Sequence, residues 1–207
     1  MKPVERAAVQ FEKLPGVGIK TAKKLAYALL MFDKRDVDVF CDEIAAAKDA
    51  LKLCRVCGNF SEGDVCEICA ASVAYSADTA PKRDGSIVCV VEHPKDIAAI
   101  ERGRYYKGVY YVLHGLISPT NLKLPKDLNI KGLLERENLT SIREIILATP
   151  PTLDGEATAR YVTAELLAAN ITARITRLAY GMSVGGSFDY ADDDTLSYAF
   201  KNRNTLE

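Results

Sequence analysis

The sequence predicts an α+β protein in three parts: a helical N-terminal region, a short metal knuckle, and an α/β domain with a mostly parallel sheet. Three observations carry that prediction. Apolar residues recur at helical spacing over the first fifty positions. Four cysteines cluster between 54 and 69. From residue 87 onward, short apolar runs alternate with helix-length segments, the pattern of strands joined by crossover helices. With 48% hydrophobic and 27% charged residues, the 207-residue chain has the composition of a folded protein. That length allows one domain with an appendage, or two small domains. No apolar run reaches the roughly 18–20 residues of a membrane span, and Met1–Arg6 opens no signal-peptide core. A cytoplasmic location is the expectation. The net charge of −1 gives no hint of nucleic acid by itself. Residues 1–58, however, carry eleven Lys/Arg against eight Asp/Glu, so a polyanion would meet the N-terminal part first.

The N-terminal part reads as two helices, 4–12 and 19–32, around the turn Leu14-Pro15-Gly16-Val17-Gly18. Ile19, Ala22, Leu25, Ala26 and Leu29 form the apolar stripe of the second helix, with Lys20, Lys23, Lys24 and Tyr27 opposite. A third helix over 37–52 would bury Val37, Phe40, Cys41, Ile44 and Ala45. Gly16 and Gly18 let backbone amides approach a phosphate with no Cβ in the way. The helix that follows adds its partial positive charge, and Lys20, Lys23 and Lys24 add a cationic face. Such a device grips the sugar-phosphate backbone and reads no bases. The plainer alternative, a helix corner with solvated lysines, fits the same residues.

Cys54-x2-Cys57-x8-Cys66-x2-Cys69 has the spacing of a closed tetrahedral zinc site with four thiolate ligands. The loop between the pairs is short and polar and cannot form a core of its own, so a structural zinc is expected to staple it. Cys41 and Cys89 stand alone in apolar stretches.

Residues 71–86 read as a connection. Strands are predicted at 87–91, 109–113, 144–148 and 173–178, and helices at 94–102, 126–137, 154–169 and 193–201. In the helix at 154–169, Ala157, Tyr161, Ala164, Leu167 and Ala168 lie at helical spacing. Glu92 follows the first strand, and Asp154-Gly155-Glu156 follows the third. Carboxylates at the carboxyl ends of parallel strands face the usual ligand crevice. They could hold Mg²⁺ through oxygen ligands or form a partner surface; equally, Asp154 and Glu156 could cap the helix they open. His93 and His114 read as structural. The Tyr105-Tyr106 and Tyr110-Tyr111 pairs read as packing residues, although Arg102, Arg104 and Lys107 between them leave room for DNA or a partner.

Residues 14–25, LPGVGIKTAKKL, resemble the helix-hairpin-helix pattern of DNA repair proteins. The acidic arrangement resembles the Toprim domain of topoisomerases and primases, with Asp-x-Glu where that domain has Asp-x-Asp. With Val90-Val91-Glu92-His93-Pro94-Lys95-Asp96, Leu113-His114-Gly115-Leu116-Ile117-Ser118-Pro119, Gly155-Glu156-Ala157-Thr158-Ala159 and Arg177-Leu178-Ala179-Tyr180-Gly181 in this order, the whole chain resembles the bacterial RecR recombination mediators. The expected division is a helix-hairpin-helix region over 1–52, a zinc finger over 53–70, a Toprim-like domain over 71–180 and a C-terminal loop and helix over 181–207. The resemblance implies a non-catalytic DNA clamp that forms a homo-oligomer, a dimer or a ring-shaped tetramer. It also implies work with RecO and RecF to load RecA at gaps, in the cytoplasm and on the nucleoid when DNA is bound. Lys20, Lys23 and Lys24 would face DNA, and Glu92, Asp154 and Glu156 would lie near a partner surface. The competing expectation is a magnesium-dependent Toprim nuclease or topoisomerase-like enzyme using those three carboxylates.

Overall fold

The computed structural model describes residues 2–72, 83–136, 139–183 and 185–203. Two compact units divide the chain, 1–51 and 52–207.

The first unit holds helices α1 (Pro3–Phe11), α2 (Ile19–Leu30) and α3 (Lys34–Ala50). Pro3 suits the first turn of α1, where its missing N–H costs nothing. Helices α1 and α2 pack through Ala8, Ala22 and Ala26, whose small side chains allow close approach, with Val4, Phe11 and Val17 around them. The expected stripe on α2 is therefore buried only at its alanines. Leu29 is half-buried, and Ile19 and Leu25 stay exposed. Helix α3 departs further from expectation. It starts at Lys34, and none of its residues is buried. Phe40, Cys41, Ile44 and Ala45 are exposed because no other element of the unit covers them.

The second unit begins with the knuckle: an antiparallel pair, β1 (Lys52–Leu53) and β2 (Phe60–Ser61), and one helical turn, α4 (Glu67–Ala70). The α/β part follows, with β3 (Asp84–Val91), α5 (Pro94–Arg102), β4 (Gly108–Val112), α6 (Ile130–Leu134), β5 (Glu144–Leu147), α7 (Leu153–Ala168), β6 (Arg174–Arg177) and α8 (Asp193–Lys201). The sheet order is β4-β3-β5-β6, and every pairing is parallel. The chain leaves β3 to one side for β4 and returns to the other side for β5. The carboxyl end of β3 is thus the switch point at which such sheets open a crevice.

Strand β3 alternates between two cores. Val88 and Val90 join Val109, Tyr111, Ile145 and Leu147 beneath α6 and α7. Cys89 and Val91 join Tyr110, Val112 and Ile97 of α5, and Ile68 of the knuckle packs there too. Covering both faces explains why these strands read as continuous apolar runs. Tyr110 and Tyr111 are buried and Tyr106 is half-buried, with its hydroxyl donating to the Val109 carbonyl at 2.9 Å. Tyr105 alone of the four is exposed.

Several expectations need correction. Of the connection at 71–86, residues 73–82 lie outside the described residues, and β3 begins at Asp84 with a register shift before Val88. The helix expected over 126–137 is a 3-10 turn at Pro125–Asp127 followed by the short α6. The break falls at Asn129, whose N–H donates to the Leu113 carbonyl at 2.9 Å instead of continuing a helix. Helix α7 buries Gly155, Thr158, Ala159, Val162 and Leu166, whereas Ala157, Tyr161, Ala164, Leu167 and Ala168 face outward. Both stripes have helical period; the small residues at 155 and 159 let the buried face sit close on the sheet. The cap of α7 is Thr152, which accepts from the Gly155 N–H at 3.1 Å, so Asp154 does not cap it.

The outer edge of β4 is covered. The Val112 N–H donates to the Cys57 carbonyl at 2.8 Å, Asn129 Nδ2 donates to the Val112 carbonyl at 3.3 Å, and Arg136 Nη1 donates to the Tyr110 carbonyl at 3.4 Å.

Candidate metal centre and nucleic-acid interface

Each cysteine pair of the knuckle sits on a turn tightened by the chain itself. The Gly58 N–H donates to the Cys54 carbonyl at 2.8 Å, and the Ala70 N–H donates to the Cys66 carbonyl at 2.9 Å. Gly58 takes φ +75, the left-handed region open to glycine. A Cβ there would also lie 2.9 Å from His114 Nε2. The result buries all four cysteines and gathers their sulfurs within 4.8 Å of one another. Cys57 and Cys66 Sγ lie 3.6 Å apart, close to the roughly 3.8 Å edge of a tetrahedron with metal–sulfur bonds of about 2.3 Å. Backbone amides point at the sulfurs: Cys66 N–H at Cys54 Sγ, 3.3 Å, and Asn59 N–H at Cys57 Sγ, 3.5 Å. Such donors stabilise thiolates. Hydrogen bonds from Cys57, Cys66 and Cys69 hold Cys54 far below the usual thiol range, while those from Cys54, Cys57 and Cys66 push Cys69 far above it. Four thiolates this close need a cation between them, and the donor set fits a closed, thiolate-bound metal.

The hairpin of the first unit turns at Gly16, φ +78, with the Val17 N–H donating to the Leu14 carbonyl at 3.1 Å. Gly18 is the N-cap of α2 in extended conformation, and no side chain caps the amides of that helix's first turn. By contrast, Thr152 caps α7 and Asp192 caps α8. Nothing lies within 4 Å of where a Cβ would stand on Gly16 or Gly18. Lys20, Lys23 and Lys24 are exposed. Open amides, a helix N-terminus and three cations together are groups that can accept an anion.

At the carboxyl end of the sheet, the Glu92 carbonyl accepts from Gly115 N–H at 3.2 Å, and its carboxylate lies 3.2 Å from His93 Nε2. Asp154 stands in the first turn of α7, and Thr158 Oγ1 donates to its carbonyl at 2.7 Å. Glu156 is engaged: Arg177 Nε and Nη2 donate to its Oε1 at 2.9 and 2.6 Å. The same guanidinium reaches Thr149 Oγ1 at 2.7 Å, with Tyr180 over it at 5.1 Å. The three carboxylates do not gather within 4.8 Å of one another; among the described residues only the four cysteines do so. Sequence reasoning missed Arg177 as a member of this site, although its place at the end of β6, in the crevice, was the available signal. His114 borders the same end with φ +62, and burial lowers its imidazole pKa from the usual value. Its Nε2 is buried with no hydrogen-bond partner.

Four family models match in chain order: RecR helix-hairpin-helix over 4–48, RecR four-cysteine zinc finger domain over 51–71, Toprim domain over 86–179 and RecR C-terminal over 181–204. The recombination protein RecR of Streptococcus mutans is 45% identical over 205 residues, covering 99% of this chain and 98% of the relative. That of Lactococcus lactis subsp. cremoris strain SK11 is 43% identical over 202 residues, covering 98% and 96%. The chain belongs to the RecR family. The RecR zinc-finger match spans the four cysteines, and the RecR hairpin match spans the turn at Gly16 and the lysines of α2. The RecR C-terminal match covers α8. No described helix is long and apolar enough to cross a membrane.

Proposed function

We propose that this chain is a non-catalytic DNA-binding adaptor of recombinational repair that grips the DNA backbone through the hairpin of α1 and α2. The carrying observation is the uncapped N-terminus of α2 beside exposed Lys20, Lys23 and Lys24. The RecR relatives bear the name recombination protein. By that kinship the protein acts in the cytoplasm, on the nucleoid when DNA is bound, with RecO and RecF to help load RecA at gaps. Zinc is the metal of the knuckle, the ion for which four thiolates in a closed tetrahedron are the usual structural set. The four Sγ atoms would hold it, and the amides of Asn59 and Cys66 point at two of them. A homo-oligomer, dimer or ring-shaped tetramer, is supported by apolar side chains left uncovered on α3 and near the C-terminus, among them Phe40, Ile44, Phe188 and Tyr190.

Phosphate gripping makes a quantitative prediction. Lys23→Ala should weaken binding to unrelated duplexes about equally and lower the salt slope by about one per lost contact, read by fluorescence anisotropy. Loss confined to one sequence contradicts backbone binding. Glu156 held by Arg177 argues against a three-carboxylate magnesium catalyst. Incubation with supercoiled DNA and Mg²⁺ should leave it uncut and unrelaxed; cleavage abolished by Glu92→Gln would make the protein an enzyme.

A further inference from the structure

We infer that the turn between α5 and β4, residues 102–107, is a second nucleic-acid site, one that takes an unpaired base of single-stranded DNA on the ring of Tyr105. The inference rests on the reading that the protein binds DNA, but it concerns another surface and another form of the polymer.

The Tyr105 side chain is 75% exposed, whereas the neighbouring Tyr106, Tyr110 and Tyr111 are packed into the domain. An exposed tyrosine is ordinary by itself; this one is held in place. A Cβ on Gly103 would collide with Cε1 and Cδ1 of the Tyr105 ring, so the ring lies directly on the Gly103 backbone. The Cδ1–Cε1 side of the ring lies against Gly103, and three-quarters of the residue stays open to a stacking base. Between them, Arg104 has φ +54, a left-handed conformation strained for an L-residue. That strained residue holds the turn in which the ring folds back.

Charge points the same way. Arg102, Arg104 and Lys107 are exposed, and none of the three side chains has a hydrogen bond or ion pair among the described residues. The nearby acid, Glu101, takes the Arg83 guanidinium and the Tyr110 hydroxyl in hydrogen bonds and feels Lys107 only through its charge. The other arginines at this end of the sheet are matched, Arg143 with Asp84 and Arg174 with Glu144. Residues 102–107 are thus a net-positive turn around one ordered aromatic face. Cations that track a phosphate chain beside a ring that stacks a base are the elements of single-strand recognition. A duplex keeps its base faces covered by its own stacking, so the ring discriminates for the single strand. The site lies at the amino ends of the strands, opposite the end that carries Glu92.

The full-length, zinc-loaded protein provides the test, by anisotropy at low salt against a labelled oligo-dT strand and a labelled duplex of equal length. Tyr105→Ala should weaken oligo-dT binding roughly tenfold, the worth of one stacked base, and change duplex binding less than twofold. Tyr105→Phe should bind as the wild type does. Gly103→Ala keeps an ordinary helical backbone at position 103, so it folds, yet it dislodges the ring; it should reproduce the oligo-dT loss in part. Unchanged oligo-dT affinity in Tyr105→Ala, or equal loss on both probes, overturns the proposal. Wild-type protein that binds duplex but no oligo-dT overturns this site alone. Failure on both probes overturns the hairpin reading as well.

Discussion

Arg177 engages four oxygen atoms from two segments: Glu156 Oε1 of α7, and Thr149 Oγ1 with the carbonyls of Leu147 and Pro150. Both it and Glu156 are about three-quarters buried, at 22% and 27% exposure. Removing the guanidinium strands a carboxylate in a poorly solvated place. Arg177→Ala should therefore cost about 2–4 kcal/mol in urea unfolding, with Arg177→Lys recovering part of it. No measurable cost would mean that the grip on Glu156 is incidental. Gly58 is constrained differently, by φ +75 and by His114 Nε2 against its face. Gly58→Ala should cost about 1–3 kcal/mol through strain, read as a lower Tm of the metal-loaded protein. At Glu101, the paired Arg83 guanidinium holds the carboxyl below its ordinary range. That pairing stabilises the fold above the unfolded carboxyl pKa of about 4.3 and is lost as pH falls through the lower folded value. The Tm gap between wild type and Glu101→Gln should therefore narrow as pH falls below about 4.3; a gap that widens would contradict the pairing.

Among the elements, the knuckle and β4 form a joint. Cys57 supplies both a metal ligand and the carbonyl that accepts the Val112 N–H, and Ile68 packs with the core of that sheet face. Removing the metal by chelation should raise hydrogen exchange at Val112 while leaving the amides of α1 and α2 protected. Uniform exchange across the chain would deny the separate joint. The sequence made β3 and β4 legible because each carries a run of apolar residues buried on two faces. The cysteines were legible because spacing alone dictates a metal-sized cluster. The buried face of α7 was not, since apolar residues line two sides and only packing against the sheet selects Val162 and Leu166 over Tyr161 and Leu167. The break at Asn129 was likewise hidden, because it depends on a carbonyl at residue 113 that only the fold brings near. Arg177 belonged to no motif of charged residues; its role comes from the end of β6 meeting the start of α7.

For the molecule as a whole, the exposed apolar side chains among the described residues include those of α3 in the first unit, and Phe188, Tyr190 and Phe200 near the C-terminus. An assembly that covers them would dissociate on dilution, so DNA affinity should fall steeply below the assembly concentration, checked by sedimentation alongside anisotropy; affinity independent of protein concentration would favour a working monomer. The covered edge of β4 has a consequence for the life of the chain in the cell. The outer Val112 N–H, held by the metal-bound loop, is shielded from other strands only while the ion stays in place. Newly made or metal-starved chains would present that edge as a template for cross-chain pairing. Their light scattering should climb after chelation and subside when the ion is restored early, which makes metal supply a determinant of solubility as well as of shape.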